Sequence, residues 1–258
     1  MKIAIVGFGF VGKFLKEIFP DAMIYDPFLP EVSVTKEEIN KAEAAFIGVP
    51  TNMLPDGSCD TSIVESTIEW LKTPLIIIRS TVKPGTTDKL AKKYPQKHIV
   101  FQPEYIGETP NHPMKTGALS EKTFMIFGGS KEDCGKAILV YQKVYNASVK
   151  TLCVSALEAE IIKYMENTAI GTMVTLVNEF YNICQAFGVS YDIVREGFLL
   201  DPRMSRYFTF VYPEKRGFEG KCLPKDLNAI VKASEAAGYA PQFIKDVLKN
   251  NQRIRGQK

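Results

Sequence analysis

An α/β fold is predicted for this chain: a doubly wound sheet first, then one long helix leading into a small all-helical part. Three observations carry that expectation. Over the first sixty residues short apolar runs alternate with helical or turn segments, the pattern of a parallel sheet covered by helices. A glycine string, Gly7-Phe8-Gly9-Phe10-Val11-Gly12, lies between the first run and a helical segment. From Ala156 to about Phe187, apolar residues recur at helical spacing without a proline, and Gly171 is the one interior breaker.

Taken in order, the strand candidates are 2–6, 22–25, 44–49, 75–79 and 98–102, then 123–127 and 148–152 around a helix at 132–143. The first helix covers 11–19. Pro55-Asp56-Gly57 marks a turn and Pro84-Gly85 opens another helix. The segment 156–187 would span roughly 45–50 Å as a helix, more than a small domain needs. Helices of that length support two domains or pack against their copy in a partner chain. Asp201 to Gly220 reads as a loop. Behind it Pro224 starts a helix carrying Leu227, Ile230, Val231 and Ala233, stopped by Gly238. Two domains are expected, 1–154 and 155–258.

With 258 residues and 45% hydrophobic content, the chain can bury a substantial core. A net charge of +3, with basic residues scattered apart from Arg253-Ile254-Arg255, is too mild for a nucleic-acid footprint. The five cysteines form no CxxC pair, so neither a disulfide framework nor a zinc site is expected. Met1-Lys2 leads straight into Ile3-Ala4-Ile5-Val6 and glycines, which is no signal-peptide core, and no apolar run approaches a membrane span of ~20 residues. A cytoplasmic protein without a membrane or nucleic-acid partner is expected.

The glycine string has the context that turns GxGxxG into a dinucleotide site: strand before, helix after, and Asp26 at the end of the second strand, about 20 residues on. Gly7 permits the tight turn, Gly9 lets backbone approach a pyrophosphate, Gly12 allows close helix packing, and the helix N-terminus faces the phosphate charge. Asp26 would bond a ribose 2′-hydroxyl and repel a 2′-phosphate. Pro27 and Phe28 bring no arginine to compensate, so NAD is the expected cofactor rather than NADP. In such Rossmann-type sheets ligands lie beyond the carboxyl ends of the strands, where Thr51, Ser80-Thr81 and Pro103-Glu104 fall.

Cys222 lies between Lys221 and the proline-initiated helix, where free backbone N–H groups and a neighbouring cation favour the thiolate. A small buried hydrophobe is the ordinary fate of a cysteine. The flanking glycines and charges at Lys221, Lys225 and Asp226 weigh towards a nucleophile. Lys163 and Asn167, four residues apart on the long helix, share one face and suit a cation and an amide aimed at an oxyanion.

In order, GFGFVG, VPTN with DGSCD, STVKPGTT, PEYIGE, the Lys163/Asn167 helix with Val177-Asn178-Glu179, DPRM and GFEGKCLPKDL cover nearly the whole chain. This set resembles the nucleotide-sugar 6-dehydrogenase family, which includes UDP-glucose and GDP-mannose dehydrogenases. The resemblance implies oxidation of a sugar C6 alcohol to a carboxylate with two NAD, through a thiohemiacetal and a thioester on Cys222. It implies that Lys163 and Asn167 hold the sugar oxygen, that Asp226 with Thr81 positions a water, and that Glu104 and Glu108 serve the nicotinamide side and the hydrolytic step. Thr51, Thr81 and Lys225 would join Gly7, Gly9, Phe10, Val11, Gly12 and Asp26 at the cofactor. Tyr105, Ile106, Phe218, Gly220 and Arg203 would contact substrate, Arg203 across a homodimer built on the long helix. UDP-glucose is the implied substrate.

Family members continue into a second nucleotide-binding domain, and Ile244 to Arg255 resembles the helix that feeds into it. A short form without the UDP-binding domain is therefore expected. Glu219 stands where the family has a glycine against the substrate, and adds a negative charge there. Gly107 stands where an arginine is usual. Two other readings stay open: a β-hydroxyacid dehydrogenase, with one two-electron oxidation and no cysteine, and a non-catalytic NAD-binding subunit partnering a full-length dehydrogenase.

Overall fold

The computed structural model describes residues 1–105, 123–142, 144–145 and 149–256. These form two compact units, Met1–Asn52 with Cys59–Lys163, and Met53–Ser58 with Tyr164–Lys258.

The first unit is a sheet in the order β2-β1-β3-β4-β5-β6-β7, with β1 Ile3–Val6, β2 Met23–Tyr25, β3 Ala44–Ile47, β4 Leu75–Ile78, β5 His98–Phe101, β6 Phe124–Gly128 and β7 Lys150–Val154. The pairs are parallel except β5 with β6. Every residue of β3 and β4 is buried, which is why these strands read as continuous apolar runs rather than alternating ones. Helices α1 (Phe10–Ile18) and α5 (Lys131–Tyr141) cover one face, where Phe14, Leu15, Phe46, Phe127 and Tyr141 pack. The rings of Phe19 and Phe46 stack there at 5.3 Å. The other face lies against α2 (Lys36–Ile39), α3 (Ser62–Trp70) and α4 (Thr86–Lys93), which supply Ile39, Val64, Ile68 and Leu90.

The chain winds from β1 to β2 on one side and then back past β1 to β3. That reversal makes the switch point at which doubly wound sheets bind ligands. β6 enters antiparallel to β5. The parallel β–α–β pattern resumes with β6, α5 and β7.

The long helix α6 runs Ala156–Phe187, 32 residues, starting in the first unit and continuing into the second. The second unit adds α7 (Tyr191–Phe198), α8 (Leu223–Ala236) and α9 (Gln242–Ile254). Phe218, Leu227 and Val247 form one core cluster of it with Val174, Ile244 and Leu248 around them, and Val177, Cys184 and Tyr191 form another. Gly171 explains itself here: a Cβ on it would stand 3.1 Å from Leu227 and 3.4 Å from Phe218. The expected helix breaker is a contact point that lets α8 approach α6.

Candidate active site

In the first unit the glycine loop is held by its own geometry. Gly7 has φ +91°, and a Cβ there would come within 2.5 Å of the Gly48 carbonyl oxygen. A Cβ on Gly12 would lie 2.1 Å from the Gly7 oxygen, so the helix meets the end of β1 this closely only because position 12 is glycine. Gly9 differs, since among the described residues a Cβ there would meet nothing within 4 Å. It is also the N-cap of α1, makes no side-chain cap, and is followed by a first turn with no acid. The first-turn N–H groups, Phe10 and Val11 among them, are those that the start of a helix offers to an anion.

Asp26 is oriented by two backbone donors. Phe8 N–H donates to its Oδ2 at 2.8 Å and Phe28 N–H to its Oδ1 at 3.0 Å. The same carboxylate therefore braces the phosphate loop and stands at the end of β2, where a ribose would lie. This set fits an NAD-type dinucleotide.

Around the ends of β3 and β4, the Ser80 hydroxyl donates to the Val49 carbonyl at 2.6 Å and the Cys59 thiol to the Thr81 carbonyl at 3.5 Å. Thr51 is buried beside them in sequence order. Glu104 and Tyr105, past the end of β5, are both buried. Lys163 is also buried, with its ammonium 5.0 Å from the centre of the Tyr105 ring.

Glu160 escaped the sequence reading. It is fully buried on α6 and accepts from Gly85 N–H at 2.5 Å, Thr87 N–H at 2.9 Å and the Thr87 hydroxyl at 2.7 Å. It thereby caps α4 and ties the STVKPGTT segment to the turn that carries Lys163. Burial pushes its carboxyl above the ordinary range, against the opposing effect of those donors. Its spacing, one helical turn before Lys163, was the available signal.

In the second unit Asn167, Asp226, Lys225 and Cys222 belong together. Asn167 Nδ2 donates to Asp226 Oδ2 at 2.5 Å, and Lys225 Nζ lies 2.7 Å from Asp226 Oδ1. Asp226 is 1% exposed and Asn167 6%. Cys222 is the N-cap of α8, exposed, with Pro224 in the first turn behind it. Its carbonyl accepts from Asp226 N–H at 2.8 Å, so nucleophile candidate and buried acid share one helical turn.

Two asparagines hold the loop that leads to the cysteine. Asn178 Oδ1 accepts from Arg216 Nε at 2.6 Å and from Gly217 N–H at 3.2 Å. Asn251 takes both polar groups of Phe218, accepting its N–H at 2.7 Å and donating to its carbonyl at 2.9 Å. The Phe218 side chain is in the core, and its main chain is what the loop presents. Gly220 has φ +88°, and among the described residues nothing lies within 4 Å of its Cβ position. Glu219 is paired with Lys215 Nζ at 2.7 Å and Arg255 Nη2 at 2.6 Å, and those bonds hold its carboxyl below the usual range. The charge expected to face a ligand is satisfied within the chain. Arg203 is exposed and paired with Asp201 at 2.6 Å.

Thr81, Glu104 and Lys163 lie in the first unit; Asn167, Cys222, Lys225 and Asp226 lie in the second. Ile106 and Glu108, with Gly107 between them, lie outside the described residues. Among the described residues no helix is long and apolar enough to cross a membrane.

A doubly wound sheet with an uncapped glycine loop, joined by one long helix to a helical unit bearing a cysteine at a helix start, defines the class: a two-unit dinucleotide-binding fold of the dehydrogenase type. Residues 27–148 match the NAD binding domain of the UDP-glucose/GDP-mannose dehydrogenase family, and residues 157–253 match its central domain. The chain belongs to that family. It is 27% identical over 233 residues to the UDP-glucose 6-dehydrogenase of Pseudomonas aeruginosa, with 84% of this chain and 50% of that protein covered. It spans about half the length of the curated relatives it matches. Among solved structures, a UDP-glucose dehydrogenase from Pyrobaculum islandicum superposes with TM-score 0.78 at 24% identity, covering 98% of this chain and 68% of that one. A UDP-D-ManNAc dehydrogenase from Pyrococcus horikoshii gives 0.80 at 23%, covering 98% and 69%. At these identities the likeness shows the fold.

Proposed function

We propose that the protein oxidises the C6 alcohol of a nucleotide sugar to the carboxylate, with UDP-glucose as substrate, NAD as cofactor and Cys222 as nucleophile. One observation carries the reading most: an exposed cysteine caps the same helix whose first turn holds a buried aspartate bonded to Asn167. NAD, when bound, accepts one hydride in each of two oxidations. Gly7, Gly9, Phe10, Val11, Gly12 and Asp26 would hold it, joined by Thr51, Thr81 and Lys225.

The chain's own residues divide the work. Asn167 and Lys163 hold the sugar oxygen and stabilise its negative charge. Asp226, fixed by Asn167 and Lys225, positions with Thr81 the water that takes the first proton. Cys222 then bonds to the aldehyde carbon as a thiohemiacetal; loss of hydride leaves a thioester; water cleaves it, releasing the carboxylate and restoring the thiol. Glu104 and Glu108 serve the nicotinamide side and the hydrolytic step. Tyr105, Ile106, Gly220 and Arg203 line the sugar.

Residues 1–154 would act as the NAD-binding domain and 155–258 as the helical domain of a cytoplasmic homodimer. The exposed stripe Met165, Leu176, Phe180, Ile183 and Phe187 on α6 supports pairing with a second copy, because one helix face carrying an apolar row is self-complementary about a two-fold axis.

The deciding experiment assays NADH release from a panel of nucleotide sugars and counts NADH per substrate at completion. Two per substrate supports the thioester route. One replaces it with the single oxidation of a β-hydroxyacid-type enzyme, and NAD binding without turnover on any sugar replaces it with a non-catalytic subunit.

A further inference from the structure

Arg79 follows directly on β4 and is 2% exposed, the largest fully buried side chain among the described residues. A guanidinium keeps its charge in any protein environment, so burying one demands a counter-charge. Arg79 has one in Glu104, whose Oε2 accepts from Arg79 Nη2. The pair is nearly dry, with side chains 1% and 9% exposed. Arg79 Nε and Nη1 find no hydrogen-bond partner among the described residues. Tyr141 and Tyr145 stand close enough for the guanidinium to draw both phenols down against the larger effect of burial. A fold seeking stability alone gains little here, because an apolar pair of the same volume is often as stable as a buried ion pair.

What the pair does is fix the next residue. The other Glu104 oxygen, Oε1, accepts from the backbone N–H of Tyr105 at 2.7 Å, so the carboxylate spans Arg79 on one side and the Tyr105 main chain on the other. The Tyr105 ring, packed on Phe124 at 5.1 Å between centroids, lies under the Lys163 ammonium at 5.0 Å. We infer that Arg79 is a positioning residue for Lys163, acting through Glu104 and Tyr105. Its consequence for turnover rests on the role proposed for Lys163 above. The placement itself does not, and can be read without substrate.

The test is site-by-site reductive methylation of the purified full chain with formaldehyde and cyanoborohydride, followed by peptide mass spectrometry. Tyr105→Leu removes the ring and sets the scale, a rise in Lys163 methylation of about two- to five-fold when the cation–π interaction is absent. Arg79→Met should give a rise of the same size, with Lys36 and Lys89 at wild-type rates because the substitution leaves their partners untouched. Should Arg79→Met fail to fold around its orphaned carboxylate, Arg79→Met/Glu104→Leu removes both charges together with the acceptor that holds the Tyr105 main chain, and supplies the reading. Wild-type protection of Lys163 in the folded double variant would overturn the inference and leave the pair as core filling. An absence of dehydrogenase activity would overturn the proposed reaction and leave this result standing.

Discussion

Asn167 and Asp226 lie 59 positions apart in sequence and meet at 2.5 Å between Nδ2 and Oδ2, both buried. An amide and a carboxylate out of water hold each other's geometry, since neither has solvent to fall back on. Replacing Asn167 by Leu leaves the Asp226 carboxylate short of a donor. The expected loss is about 1–3 kcal/mol of unfolding free energy in urea. Asn167→Asp sets two carboxylates together and should lose more. A wild-type midpoint for either variant would mean that the amide–carboxylate pair contributes nothing to the fold.

Cys222→Ser should abolish carboxylate formation and leave the dissociation constant for NAD within about two-fold, because an exposed N-cap serine keeps the start of α8 while a hydroxyl is a far weaker nucleophile than a thiolate. Product analysis and NAD titration read the two halves separately. Carboxylate produced at the wild-type rate would end the covalent route.

Thiol reactivity should separate by burial. Cys222 and Cys153 are exposed, while Cys59, Cys134 and Cys184 are buried. Burial, aided by Cys153 nearby, pushes the Cys134 thiol up from 9.0 to about 12. For an acid whose folded value lies above its unfolded one, the stabilising contribution is complete below the unfolded value and is lost as pH rises through the folded one. Iodoacetamide at pH 8 should therefore label Cys222 and Cys153 and spare Cys134. Between about pH 9 and 12, unfolding should release Cys134 to the reagent. Rapid labelling of Cys134 in native protein at pH 8 would contradict its assigned environment.

The parts legible in the sequence are those that local pattern encodes. Buried strands such as 44–47 and 75–78 announce themselves as unbroken apolar runs, and the glycine loop by turn chemistry that no other residue tolerates. The long helix shows in its period. Partners brought together from far along the chain do not show. Asn251 sits on the inward side of α9 near Val247 and looks like a polar interruption; that it clasps Phe218, 33 positions earlier, follows only from how α9 packs. The charge on Glu219 reads as open until Arg255, 36 positions on, is seen to take it. Strand direction is equally silent, since the apolar run of β6 would suit either sense of pairing.

Asp26 serves two purposes, and its removal should show both. Without the carboxylate, Phe8 and Phe28 lose an acceptor, and the ribose hydroxyl loses its partner. Asp26→Ala should weaken NAD binding about 10- to 100-fold, the effect of losing a charged hydrogen bond, while NADP binding weakens far less because a repulsion disappears with it. Calorimetric titration with each dinucleotide measures the ratio. Parallel losses for NAD and NADP would leave Asp26 as a loop brace only.

The α6 stripe makes the last prediction quantitative. Met165 and Phe187 are 75% and 79% exposed, and Leu176, Phe180 and Ile183 between them are about half exposed. Large side chains in one row at helical spacing are a costly surface for a solvated helix, and a second copy can cover them by the same row. In light scattering the wild type should run at about twice 28.9 kDa. Ile183→Glu places a carboxylate in the row on each protomer, so a two-fold interface meets it twice. The dimer constant should weaken by ~10²-fold or more, leaving monomer at micromolar concentration. Gln185→Glu adds the same charge half a turn away around the helix, where an interface along the row does not reach, and should leave the dimer intact. A wild-type monomer would remove the interface, and a dimer indifferent to Ile183→Glu would move it off this face; either removes the basis for a substrate arginine supplied across it.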